Sequence, residues 1–187
     1  NLHVAPGLGN AIGMMYGAMK ACVPVIVTAG QQDTRMRLRD PILRHDLVAM
    51  AAPVSKWAVE AQCADEIAPI MNRAFRIANE GPAGPVFVAL PNNVMSETTT
   101  IGATSAGPLF CRNPPQTAAI DSLATLLLGA RNPVIFAGDA IAAEDANTGF
   151  TELVETLGAT VYTELLRSRQ VIAARHPGLR GRIPITA

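Results

Sequence analysis

Two short runs of this chain are apolar at nearly every position, and the stretches between them are apolar at every third or fourth. "VPVIVTAG" from Val23 and "VFVALP" from Val86 are strand-sized, rich in β-branched residues and closed by Gly30 and Pro91. That pattern predicts strands buried on both faces. Between them, Ile67, Ile70, Met71, Ala74, Phe75 and Ala78 follow helical spacing, so Ala64 to Glu80 reads as a helix that "GPAGP" stops. Ala11 to Ala21 reads as a helix with small residues on one face, expected to lie close against the sheet. Gln31 to Asp40 has no apolar period and reads as a loop. Pro41 sits where a helix often begins, with Ile42, Leu43, Leu47 and Met50 at helical spacing, and Lys56 to Ala61 reads as a short strand.

Asn92 to Gln116 is rich in Ser, Thr, Gly, Pro and Asn, the composition of a connection between domains. After it the alternation resumes: helix Ala118 to Ala130, strand "PVIFAG", helix Asn147 to Leu157, strand "TVYTEL", then "ARHPGLRG". Strands alternating with helices predict an α/β fold with parallel, doubly wound sheets. The resulting division is residues 1–95 as one domain, 96–116 as linker and 117–187 as the start of a second.

Composition narrows the class. The chain has 187 residues, 15 Lys and Arg balanced by 15 Asp and Glu, and 49% hydrophobic residues. This is the profile of a globular protein with no basic field for nucleic acid. No apolar run is long enough to span a bilayer. Cys22, Cys63 and Cys111 are odd in number and widely spaced, which indicates neither a disulfide framework nor a zinc site and fits a cytoplasmic setting.

Candidate chemistry gathers at the opening "NLHVAPGLGN". A histidine at the end of a strand can give or take a proton near neutral pH, or serve a structural role. Gly7 and Gly9 can turn the chain or let backbone approach a ligand, but "GLGN" lacks both the P-loop lysine and a complete GxGxxG. Asn10 can cap its helix or reach a site with its amide, and the cap is favoured. Gln31 can hydrogen-bond a ligand oxygen or anchor a loop. Arg35, Arg37 and Arg39 at period two, followed by Arg44 and His45, read as a solvated edge or ion pairs. His45 and His176 have no companions at metal-ligand spacing. "GDA" at Gly138 to Ala140 resembles a nucleotide-binding turn without the full fingerprint.

The order "APGLGNAIG", "VPVIVTAGQ", "PVSKW" and "MNRAFRIANEGPAGPVFVALPNNV" resembles the later part of the pyrimidine-binding domain of thiamine diphosphate-dependent enzymes. "ARNPVIFAGDA", "LVETLGATVYTEL" and "RHPGLRG" resemble the start of their central domain. Within that family, "NLHVAPGLGNAIG" with "VTAGQQ" is most similar to the benzoylformate decarboxylases, which remove carbon dioxide from a 2-oxo acid without oxidation. The resemblance implies thiamine diphosphate and Mg2+ as cofactors, and His3 and Gln31 as catalytic residues. It also implies Gly7, Gly9 and Asn10 beside the cofactor, no metal ligand within this chain, and a homodimer or homotetramer.

It further implies that the family's cofactor-activating glutamate lies before Asn1 and its Gly-Asp-Gly metal motif beyond Ala187. The 187 residues are therefore expected to be an inactive piece of a longer enzyme. Two alternatives stand beside this reading. One is an acetolactate synthase-like carboligase, against which His3 argues. The other is a non-catalytic nucleotide-binding or assembly module.

Overall fold

The computed structural model of the chain describes residues 1–103, 114–165 and 167–183. Cys111 and the centre of the expected linker lie outside the described residues. The chain divides into two compact units, Asn1–Arg112 and Asn113–Ala187.

The first unit is built on three parallel strands, β1 (Val25–Gln31), β2 (Trp57–Glu60) and β3 (Pro85–Pro91), in the order β1-β3-β2. Leu2 adds a single parallel bridge to Ala29 on the outer edge of β1, donating its amide to the Thr28 carbonyl and accepting from Gly30. Helices cover both faces. Helix α1 (Val4–Lys20) and the short α2 (Leu47–Ala51) bury Leu8, Met15, Leu47 and Ala51 against Ala29, Phe87 and Ala89. Helix α3 (Ile67–Asn79) buries Ala74 and Ala78 against Val86 and Val88 on the opposite face. Strand residues alternate between the two clusters, and both faces are apolar, so β3 is buried almost throughout and reads as a continuous run.

Several boundaries differ from the sequence expectation, each for a physical reason. Helix α1 starts at Val4, seven residues before Ala11, because Val4 makes the turn itself with φ of 43°. The small residues of α1 do not all meet the sheet: Gly13 and Gly17 are exposed, and Leu8 and Met15 make the buried contact. The helix expected from Pro41 begins only at Leu47, where the Asp46 carboxylate caps it by accepting the Ala49 amide. Ile42 is left exposed. The expected loop from Gln31 to Asp40 contains a 3-10 turn over Thr34–Arg39. A four-residue helix, α4 (Asn92–Met95), follows β3, after which Glu97 accepts the Ala64 amide and Thr99 donates to Asp65, so the chain stays tied to the first unit.

The second unit repeats the plan with β4 (Val134–Ala137), β5 (Thr160–Thr163) and β6 (Leu179–Arg182), parallel and in chain order. Its helices are α5 (Thr117–Gly129), the single-turn α6 (Ala140–Ala143) and α7 (Asn147–Leu157). Phe150 and Val154 of α7 pack with Ala137, Val161, Val171 and Ile172. Gly158 ends α7 in the left-handed conformation, at φ of 58°. Strand β6 was not legible beforehand because "LRGR" carries two arginines and a glycine where a strand usually shows β-branched residues.

Candidate functional site

In open parallel sheets, ligands bind outside the carboxyl ends of the strands, where loops rather than side-chain layers close the structure. At that edge of the first sheet stand His3, which follows the bridged Leu2, and Gln31, the last residue of β1. His3 is the N-cap of α1, is exposed, and its imidazole makes no capping hydrogen bond. The next residue, Val4, is buried and holds a positive φ that a β-branched side chain rarely adopts. Such a conformation costs about 1–3 kcal/mol and persists only where the surroundings impose it. The Leu2 bridge on one side and the Gly7 amide, which donates to the His3 carbonyl at 2.9 Å, on the other impose it here.

Gly7, Gly9 and Asn10 therefore occupy different places from those expected. All three lie inside α1 rather than in a loop before it, and neither glycine has a positive φ. Asn10 is not the cap, since that position belongs to His3. A Cβ on Gly7 would meet Leu2 at 3.5 Å and the His3 Cβ at 3.8 Å, ordinary contact distances, so the first helical turn lies against Leu2 and His3 without requiring a glycine there. Gly9 faces Met50 of α2 at the limit of contact.

Gln31 is buried and fully engaged. Its Nε2 donates to the His45 carbonyl at 2.8 Å and to Glu60 Oε2 at 3.3 Å, and its Oε1 accepts the Gln32 amide. It ties the end of β1 to the end of β2 and to the loop before α2. No hydrogen bond joins it to His3. Glu60, which sequence reasoning passed over, is its partner and also lies 4.0 Å from Arg37. The only available signal was an acid closing the short apolar strand "WAVE".

Two of the four arginines of the series form ion pairs, Arg35 with Asp33 and Arg37 with Glu60. Arg35 binds Asp33, whose carboxyl is lowered to about 2 by the Arg35 side chain and then by the Arg35 amide. His45 contributes its carbonyl to the structure, while His176 is buried in the second unit, where its Nδ1 accepts the Gly178 amide at 3.1 Å. Neither belongs to a metal cluster, and among the described residues no group of three or more His, Cys, Asp or Glu could hold a metal ion. No described helix is long and apolar enough to cross a membrane.

The Gly138–Asp139 turn is occupied by carboxylates. Glu164 Oε1 accepts the Asp139 amide at 2.8 Å, and the Asp139 carboxylate accepts the amides of Ser168 and Arg169 and the Ser168 hydroxyl. Burial pushes the Asp139 carboxyl up, but the Ser168 and Arg169 donors outweigh it and hold the group below its ordinary value. The turn amide that a phosphate would use is already bonded, and two acids surround it.

Residues 120–187 match the thiamine pyrophosphate enzyme central domain. The whole chain, moreover, is similar to benzoylformate decarboxylase of Pseudomonas aeruginosa, 29% identical across 98% of this chain and 35% of that protein. The chain belongs to the thiamine pyrophosphate enzyme family. A catabolic acetolactate synthase of Raoultella terrigena is 32% identical over 71% of this chain and 24% of its own length. The structure of a thiamine diphosphate-dependent 4-hydroxybenzoylformate decarboxylase from Rhodococcus jostii RHA1 superposes with a TM-score of 0.79 and 30% identity, over 98% of this chain and 36% of that one. The chain thus spans between about a quarter and about a third of the length of these thiamine enzymes.

Proposed function

We propose that this chain forms part of a 2-oxo acid decarboxylase of the benzoylformate decarboxylase type, with the reaction run at the carboxyl edge of the first sheet. The observation that carries the reading is His3, an exposed imidazole free of capping bonds, held at that edge on a strained turn. Similarity to a benzoylformate decarboxylase along nearly the whole chain supports it.

The residues present fit one half of the cofactor's needs. An uncommitted imidazole at the start of α1, at the carboxyl edge of the sheet, suits the organic, proton-exchanging end of thiamine diphosphate. Among the described residues no group of three or more His, Cys, Asp or Glu offers itself to Mg2+, and the metal and the diphosphate are assigned to the part of such enzymes that the chain does not span. When bound, thiamine diphosphate supplies the carbon that attacks the keto group and accepts the electron pair as carbon dioxide leaves. His3 moves the proton that replaces the lost carboxylate. Gln31, with its amide spent on His45 and Glu60, acts as a positioning residue and not as a substrate contact.

The acetolactate synthase reading keeps a specific support, the 32% identity to the Raoultella enzyme. Product analysis separates the two. With thiamine diphosphate and Mg2+, the intact enzyme is expected to convert benzoylformate to benzaldehyde and carbon dioxide; acetolactate from pyruvate as the main product would replace this reading with the synthase. His3→Ala is expected to slow decarboxylation by about 10²–10⁴-fold, the usual contribution of a positioned proton-transfer group, with cofactor binding nearly unchanged. Undiminished turnover would remove His3 from the mechanism. The carboxylates filling the Gly138–Asp139 turn count against the nucleotide-binding alternative.

A further inference from the structure

Beside β2, at the same carboxyl edge, lies an open cleft of about 390 Å³ lined by Arg37, Arg44, His45, Asp46, Glu60 and Gln62. Its volume is that of a small-metabolite site. The charges within it are unevenly committed. The Asp46 carboxylate caps α2 by accepting the Ala49 amide. Glu60 accepts from Gln31 and faces Arg37. Arg44, by contrast, is half-buried, and its guanidinium meets no acid within ion-pair distance among the described residues. A guanidinium with no acid in ion-pair reach has its donors uncommitted, and an anionic oxygen entering the cleft would engage them.

The backbone beneath Arg44 is fixed before any ligand arrives. Its own amide donates to the Pro41 carbonyl at 2.8 Å, the next carbonyl accepts from the buried Gln31 amide, and the residue after that caps α2. A turn held at three consecutive residues loses little freedom on binding, so the affinity of the guanidinium is not spent on ordering its own loop. The other arginines of the series differ: Arg35 is paired with Asp33, and Arg39 is exposed and outside the cleft.

We propose that Arg44, with Arg37 beside it, is the receptor for the carboxylate of a small organic acid in this cleft. The planar guanidinium matches a two-oxygen carboxylate in bidentate fashion. Glu60 and Asp46 on the cleft wall favour a singly charged group over a phosphate dianion, which would face both acids at once. The assignment stands on the cleft and its charges and does not depend on the thiamine reading.

The test is a titration of the 187-residue chain with propionate, and separately with inorganic phosphate, at constant ionic strength and a pH slightly above neutrality where phosphate is mainly the dianion, followed by amide shifts in ¹H–¹⁵N spectra. Propionate is expected to move the amides of Arg44, His45 and Gln62 saturably. Arg44→Gln should weaken that binding roughly tenfold or more, the scale of a lost charged hydrogen-bonding pair, while Arg39→Gln leaves it unchanged. The proposal is overturned if propionate moves none of these amides, or if Arg44→Gln binds it as well as the parent chain. Tighter binding of phosphate than of propionate would overturn the carboxylate assignment.

Discussion

The two units share a plan, three parallel strands with intervening helices, but they differ in how much of each sheet is covered. In the first, α1 and α2 close one face and α3 the other, so Phe87 and Val88, adjacent in β3, are both completely buried on opposite sides. In the second, α7 covers one face, while Val134, Phe136 and the α5 residues Leu123, Leu126 and Leu128 remain exposed. Apolar burial scales with covered area, so equivalent strand residues carry very different weights in the two units. The carboxyl edges differ as well: His3, Gln31 and Glu60 stand at that of the fully clad sheet, and the other ends in carboxylates that occupy their own turn.

The largest effect that would break this comparison comes from one ring in each sheet. Phe87→Ala is expected to destabilise the first unit by about 3–5 kcal/mol, as for other buried phenylalanines, whereas Phe136→Ala should cost less than about 1 kcal/mol. Urea unfolding of the two variants decides it; equal losses would mean that the outer face of the second sheet is covered in solution.

A smaller effect sharpens the picture within the second unit. A Cβ on Gly178 would sit 2.9 Å from the Ala159 carbonyl oxygen and 3.2 Å from both His176 Nδ1 and Val154, with backbone unable to yield. Gly178→Ala should therefore cost about 1–3 kcal/mol. Gly149 in α7 has open space around it, and Gly149→Ala should stabilise by about 0.4–1 kcal/mol through the unfolded chain and helix propensity. Thermal melts that ranked the two alike would show that the turn into β6 is not packed as described.

The smallest expected effect is electrostatic. Asp139 has its carboxyl held below the ordinary value of 3.8, so its contribution is complete above that pH and is lost as pH falls through the lowered value. Acidification from about pH 6 to about pH 3 should weaken the protection of the Ser168 and Arg169 amides against hydrogen exchange, and Asp139→Asn should remove that pH dependence. Unaltered protection across the range in the parent chain would show that the carboxylate does not hold this loop.

Much of the architecture was legible because burial writes itself into composition. "VFVALP" could only be a strand covered on both sides, and α3 announced its apolar stripe at Ile70, Ala74 and Ala78. The helix signals were less reliable where a local cue competed with packing. Pro41 looked like a helix start, but the Asp46 cap, five residues later, set it, leaving the Pro41–His45 turn free to be pinned by Gln31. The opening glycines looked like the turn, but Val4 makes it, a choice no propensity predicts because the Leu2 bridge on one side and the Gly7 amide on the other compel it.

The sequence by itself determined the alternation of strand and helix, the identity of the histidine at the opening, and the absence of any charge excess that would recruit a polyanion. These depend on residue type and spacing along one dimension. The tertiary structure decided what each polar group is free to do. Gln31 and Glu60 are 29 positions apart and become one bonded pair only because β3 returns between their strands. Arg44 is distinguished from Arg35 by its place in the cleft and by the absence of an acid within ion-pair reach. Pairing is a property of neighbours in space, and which acid stands beside which base is settled when the sheet closes its order.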